Sequence, residues 1–190
     1  SACGAELTFG SHDNPPDFLY IYLGHFVGGG VVLNGALYAG RQGNAGAVGT
    51  FPTQSQDGSR TQLVDTASLI GLERRLAEHF RDPTFTLDAN EEWHLKEPDI
   101  VDDWLRDAVP DLAKFIVGAC SVIDFTTILV DGNMSDGLRT LIIERISTAL
   151  DELHLSGLLR PEVMAGSLGP KARPLGAASL ALSQKFMLEN

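Results

Sequence analysis

Hydrophobic positions along the chain follow two periods, and the switches between them outline the elements. Residues 1–9 are small, with Glu6 and Leu7, and read as the end of a helix that stops near Gly10. Turn residues follow from Ser11 to Pro16, and then Asp17 to Gly24 (DFLYIYLG) is rich in aromatic and branched residues, the composition of a strand buried on both faces. Asn34-Gly35 between two apolar runs is a strong hairpin signal, because both central residues of a type I′ turn need positive φ. Strands are therefore predicted at 16–24, 29–34 and 36–40, paired as an antiparallel meander. Residues 40–61 show no periodicity and read as a long loop. Leu69, Ile70, Leu72 and Leu76 mark a helix, with Asp65 or Thr66 as its N-cap. Irregular sequence from Asp82 to Glu97 precedes a long helical pattern that starts at Pro98 and includes Val101, Trp104, Leu105, Ala108, Leu112, Ile116 and Ala119. Pro110 is expected to bend that helix or divide it in two. A strand at Phe125–Asp131, a helix capped by Ser135 or Asp136, a strand at Pro161–Gly166 and a small-residue helix from Ala172 complete the pattern.

The order is helix, three strands, helices, strand, helix, strand, helix. Strands that follow a helical crossover run parallel, and the hairpins must be antiparallel. The fold class is thus α/β: a mixed sheet, an antiparallel meander plus parallel strands, with helices covering its faces. That is one half of a ribonuclease-H-like or actin-like architecture. Composition fits a folded domain: 190 residues, 44% hydrophobic and 21% charged. The formal net charge of -11 argues against a broad phosphate-binding surface for nucleic acid. Cys3 and Cys120 match no metal spacing and read as reduced, buried thiols of a cytoplasmic protein. No apolar stretch reaches the ~18 residues of a membrane span, and no signal-peptide pattern is present.

The glycine cluster LGHFVGGG (Leu23 to Gly30) is placed by this reading at a strand-to-strand turn. There glycines would let backbone approach a ligand and aim N–H groups at an anion, or would serve only a tight hairpin. It is not a P-loop, since no Gly-Lys-Ser/Thr follows. With its flanks, LYIYLGHFVGGGVVLNGALYAGRQGNAGAVG resembles the ROK family (repressors, open reading frames and sugar kinases). That family has a Gly-Thr-Gly-x-Gly-Gly-Gly turn, a Leu-Asn-Gly hairpin and an Ala-Gly-Glu-x-Gly-His segment. SACGAEL resembles the helix after the family's Asn-Asp catalytic motif, DFTTILVDGNMS its strand ending in a Gly-Gly turn, and SLGPKARPLGAASLAL its closing helix.

The resemblance implies the C-terminal lobe of an actin-like ATPase fold, residues 1–190 forming that single lobe. The N-terminal lobe and any helix-turn-helix domain are then expected outside this sequence. It also implies a phosphate-like loop at Gly24, His25, Gly28, Gly29, Gly30, Asp131 and Gly132. The sugar-site equivalents are Asn44, Ala47, Thr50 and Val64, and they have changed: the family glutamates fall on Ala47 and Val64, and its histidine on Thr50. The family zinc site loses that histidine, Gln62 stands where its last cysteine is expected, and no metal is expected there. The family threonine of the glycine turn falls on His25, which could donate to phosphate, act as a titrating gate, or only shape the turn. Asp131 replaces a glycine that borders adenosine, where a carboxylate is expected to repel phosphate and crowd the base. Arg173 replaces a glycine of the closing motif.

Two further groups are set aside as surface. His94, beside Trp93 and Glu91-Glu92, reads as a solvated loop segment, and Asp99, Asp102, Asp103 and Asp107 read as a solvated acidic helix face. The losses point to a kinase-inactive, ligand-sensing and dimerising lobe of a ROK transcriptional regulator. It would have a sugar-like small-molecule effector, no cofactor, no membrane contact, and DNA contacts made by another domain. The alternative is the C-terminal lobe of an ATP-dependent sugar kinase with an atypical substrate, in which ATP would bind at the glycines.

Overall fold

The computed structural model describes residues 2–11, 13–55 and 57–187, with side chains through Ser179. Ser1 of the first predicted helix, and the packing of the last predicted helix beyond Ser179, lie outside the described residues. Fourteen regular elements follow one another: α1 (Ala2–Phe9), β1 (Phe18–Leu23), β2 (Val27–Leu33), β3 (Ala36–Tyr38), β4 (Pro52–Gln54), β5 (Arg60–Gln62), α2 (Leu63–Ala67), α3 (Leu69–Phe80), α4 (Trp93–Lys96), α5 (Pro98–Ile123), β6 (Thr127–Gly132), α6 (Asp136–Glu152), β7 (Glu162–Ala165) and α7 (Ala172–Met187). The main sheet has the order β3-β2-β1-β6-β7. The meander pairs antiparallel, and β1–β6 and β6–β7 pair parallel, as the crossover argument requires. Asn34 and Gly35 both take positive φ, 54° and 71°, at the β2–β3 turn.

Strand β1 is buried at every position, and its alternation divides the core in two. Leu19, Ile21 and Leu23 join Ile128 and Val130 in the larger core under α2, α3, α5 and α6. Phe18, Tyr20 and Tyr22 join Leu129, Val32, Cys3 and Ala172 in a smaller core under α1 and the start of α7.

Several local expectations are corrected. Of the bend or division expected at Pro110, division does not occur: helix α5 is one uninterrupted run of 26 residues through it. The missing N–H frees only one carbonyl, and the buried stripe Val101, Trp104, Ala108, Leu112 and Ile116 holds both halves on the same core. The helix predicted from Asp65 is two helices that break at Ser68, whose backbone is extended (ψ 145°). The buried Ser68 Oγ accepts from Val27 N at 2.9 Å, which fastens the break to the start of β2. The N-cap of α2 is Gln62, with Asp65 closing a capping box, so neither Asp65 nor Thr66 is the cap. The long loop contains the short β4–β5 hairpin, held by a Thr53–Thr61 hydroxyl pair at 2.7 Å. Ser135 caps α6 as expected, accepting from Leu138 N.

Candidate functional site

In open α/β sheets, ligands bind beyond the carboxyl ends of the parallel strands. Here those ends are Leu23 of β1 and Gly132 of β6, which are register partners. The turn after β1, Gly24 to Phe26, is pinned from below. Asn133 N donates to Leu23 O at 2.9 Å, Leu69 N to Gly24 O at 2.9 Å and Ile70 N to His25 O at 3.3 Å. The first N–H groups of α3, which lack helical partners, therefore spend themselves on the turn's carbonyls. The turn is thereby a rigid platform.

Gly28 does not form the turn but joins Gly29 and Gly30, which the predicted strand 29–34 includes, in the strand itself. They lie in β2, opposite Tyr22, Ile21 and Tyr20, and none has positive φ. Two of them are there for close packing. A Cβ on Gly29 would stand 2.3 Å from Val48 and 2.4 Å from Tyr20 O, and one on Gly30 would stand 2.5 Å from the Cβ of Cys3. Gly28 is different: a Cβ there would meet nothing within 4 Å, so its surface faces open space.

Asp131 is also placed otherwise than the sequence suggested. Its side chain is fully buried on the tyrosine face of the sheet. Oδ2 accepts from the Tyr20 hydroxyl at 3.0 Å and Gly169 N at 3.0 Å, and Oδ1 accepts from Arg139 Nη1 at 2.9 Å and Gly132 N at 2.9 Å. Four donors, one of them cationic, match the acceptor capacity of a carboxylate, so its charge is met within the fold. Burial, then the Asp131 charge and hydrogen bond, push the Tyr20 phenol far above its ordinary range. Tyr20 is therefore a permanent donor. Gly166 makes room for this group, since a Cβ there would stand 2.7 Å from Asp131 Cβ.

A second buried carboxylate fixes the other end of the same loop. Glu6 of α1 is 1% exposed and accepts from Ser167 N at 3.1 Å, Ser167 Oγ at 2.8 Å and Asn14 Nδ2 at 3.3 Å. The segment 167–169 is thus held between Glu6 and Asp131 through its own N–H groups, and it carries the start of α7 and Arg173.

Between these parts lies an open cleft of about 290 Å³, lined by Ala2, Tyr20, Tyr22, Phe26, Gly28 and Arg173. Phe26 is 59% exposed and forms a T-shaped pair with His25, ring centroids 4.6 Å apart. By the quoted family pattern Phe26 stands where the second glycine of the turn belongs, a departure that a motif count of glycines passes over. Burial and Asp131 raise the Tyr22 phenol, and the Arg173 charge opposes that rise.

The sugar-site equivalents are near one another but do not line this cleft. Asn44, Ala47 and Thr50 are exposed, and Thr50 Oγ1 donates to Ala47 O at 2.7 Å. Val64 packs on the main core, its Cβ close to Gly49. Gln62 Nε2 donates to Thr50 O at 3.4 Å. Among the described residues no group of three His, Cys, Asp or Glu is placed to hold a metal ion.

Of the two groups read as surface, His94 is built in, while Asp99, Asp102 and Asp103 are exposed as expected. His94 lies in α4 with its side chain 16% exposed, 3.3 Å from Glu92, which accepts from Ser135 Oγ at the start of α6. The carboxylates of α5 tie three helices together: Asp102 pairs with Arg145 of α6, and Asp103 and Asp107 pair with Arg75 of α3.

Comparison with known proteins agrees with this geometry. A model described as the ROK family matches residues 1–184. The chain is 28% identical over 188 residues to the bifunctional enzyme NanE/NanK of Brucella melitensis, covering 95% of this chain and 33% of that one. It is superimposable on a ROK family glucokinase from Streptomyces griseus in complex with glucose and AMPPNP, with TM-score 0.70 and 22% identity over 94% of this chain and 64% of the other. A ROK family transcriptional regulator, a homolog of the E. coli MLC protein, matches with TM-score 0.65 and 21% identity over 93% and 48%. The chain spans a third to under a half of the length of the curated relatives it matches.

Proposed function

The chain belongs to the ROK family, and from that premise we propose that it is the ligand-sensing and dimerising C-terminal lobe of a transcriptional regulator and does not transfer phosphate. The observation that carries this reading is the rebuilt phosphate turn. Phosphoryl transfer depends on close backbone approach to the phosphates. Phe26 puts an exposed aromatic ring where the family pattern has a glycine and backbone approach is needed. The apolar residues Ala47 and Val64 support the same reading, because a site built to hydrogen-bond hydroxyls loses its discrimination when those groups go. Thr50 and Gln62 supply a hydroxyl and an amide in place of the thiolates and imidazole that a tetrahedral zinc requires, so no zinc is assigned there. The regulator would act in the cytoplasm as a homodimer, with DNA contacts made by another domain.

A second reading is supported by the curated relatives, whose name, bifunctional enzyme NanE/NanK, points to a kinase activity. In it Gly24 and Gly28 to Gly30 would border the phosphates of ATP. A phosphoryl-transfer assay on the full-length protein, including whatever precedes Ser1, separates the two with MgATP and a panel of hexoses and N-acetylhexosamines. The sensing reading predicts no ADP above the protein-free control; sugar-dependent ADP release would sink it.

A further inference from the structure

The cleft beside Arg173 differs in its charged residues from three other grooves of the described surface. The grooves between α5 and α6, and between α5 and the β4–β5 hairpin, have both signs of charge in their walls, Asp102 with Arg145 in the first and Asp111 with Lys114 in the second. The wall of the Arg173 cleft contains no carboxylate, in a protein whose net charge is -11. Asp131 lies beneath it, and its charge is met by Arg139 at 2.9 Å. Arg173 is exposed, and no carboxylate lies within ion-pair distance of it among the described residues. A planar guanidinium with free donors is a site for a carboxylate or phosphate oxygen pair.

The remaining walls decide what the anion is attached to. Phe26 offers a ring that is 59% exposed and oriented by His25, and the bare backbone of Gly28 lets a flat group lie against the strand. The volume, about 290 Å³, is at the lower limit of the roughly 300–1,000 Å³ that ligand pockets occupy. One ring bearing one acidic group fits these walls. A polyphosphate fits less well, for it needs several cationic partners and Arg173 is the cation of these walls.

We infer that this cleft binds a small planar aromatic carboxylate, its ring against Phe26 and its carboxylate on Arg173, as the effector of the lobe. The inference rests on the sensing reading, and it assigns the effector site to the former nucleotide face instead of the sugar-site residues.

Isothermal titration of the full-length protein with benzoate, cyclohexanecarboxylate, inorganic phosphate and MgATP tests it. Benzoate should bind, and more tightly than cyclohexanecarboxylate by about fivefold, the scale of an aromatic pair contact. Phosphate should bind more weakly than benzoate. Arg173→Gln should weaken benzoate by about tenfold or more, as loss of a charge-assisted bond does. Phe26→Ala should weaken it by about fivefold. Both side chains are exposed, so the thermal midpoints of the variants should match that of the parent, which shows that the fold is intact. Absence of benzoate binding, equal binding of the two carboxylates, or an Arg173→Gln variant that binds as the parent does would overturn the inference. If MgATP is also inert in that case, the sensing reading survives without it. Saturable MgATP binding with transfer to a sugar would remove both together.

Discussion

One face of the sheet is held by apolar packing and the other by buried polar pins. Leu19, Ile21, Leu23, Ile128 and Val130 meet the leucines and isoleucines of α2, α3, α5 and α6 in a continuous core. Behind the sheet, Phe18, Tyr20, Tyr22 and Leu129 meet only α1 and the start of α7, and two carboxylates, Glu6 and Asp131, fasten what covers them. The difference matters for function because the second face is the one that borders the cleft. Apolar packing tolerates small shifts, whereas a saturated carboxylate dictates where each donor stands. The loop that bears Arg173 is therefore positioned by hydrogen bonds more than by burial.

The largest expected effect breaks the polar side of this contrast. Asp131→Ala leaves the Arg139 guanidinium, the Tyr20 hydroxyl and Gly169 N without their acceptor, and should cost about 3–5 kcal/mol in chemical denaturation. On the apolar face Leu112→Ala should cost about 2–5 kcal/mol, but Leu112→Met less than about 1.5, because there volume matters more than chemistry. An Asp131→Ala variant as stable as its parent would show that packing holds both faces alike. Next in size, Glu6→Ala should cost about 1–3 kcal/mol by stranding the donors of Ser167. The small core should also show itself at alkaline pH. Burial pushes the Cys3 thiol up to about 12, from 9.0. The folded state keeps the proton that the unfolded chain gives up, so stability should fall as pH rises from 9 toward 12. Cys3→Ala should flatten that decline in pH-dependent unfolding. The smallest effect is at Gly28: Gly28→Ala should leave stability within about 0.5 kcal/mol, while Gly30→Ala, which would press on Cys3, should cost about 1–3 kcal/mol.

The strands and their directions were legible in the sequence because aromatic and branched runs and Asn34-Gly35 are local signals, and helical crossovers make the later strands parallel. The break at Ser68 was not, because it depends on a bond to Val27 that lies 41 positions away. Pro110 does not divide α5 for a related reason: helix propensity is local, and the core that carries α5 across it is not. At the site, glycine spacing marked the right segment but not its role, since only the strand register shows that Gly29 and Gly30 face Val48 and Cys3 while Gly28 faces the cleft. The sequence, which places at Asp131 a carboxylate that repels phosphate and crowds the base, does not show its partners, because Tyr20, Arg139 and Gly169 come from three other parts of the fold. The parity of β6 offered a usable signal, since Thr127, Leu129 and Asp131 share one face and Leu129 lies in the tyrosine core.

The central claim is that the rebuilt turn, with Phe26 and Arg173 where the family pattern has glycines, no longer serves nucleotide. Titration of MgATP into the full-length protein, beside a Phe26→Gly/Arg173→Gly variant that restores the family residues, tests this most directly. The account predicts no saturable heat with the parent protein, and binding, if it returns anywhere, only in the restored variant. Saturable MgATP binding by the parent would contradict it.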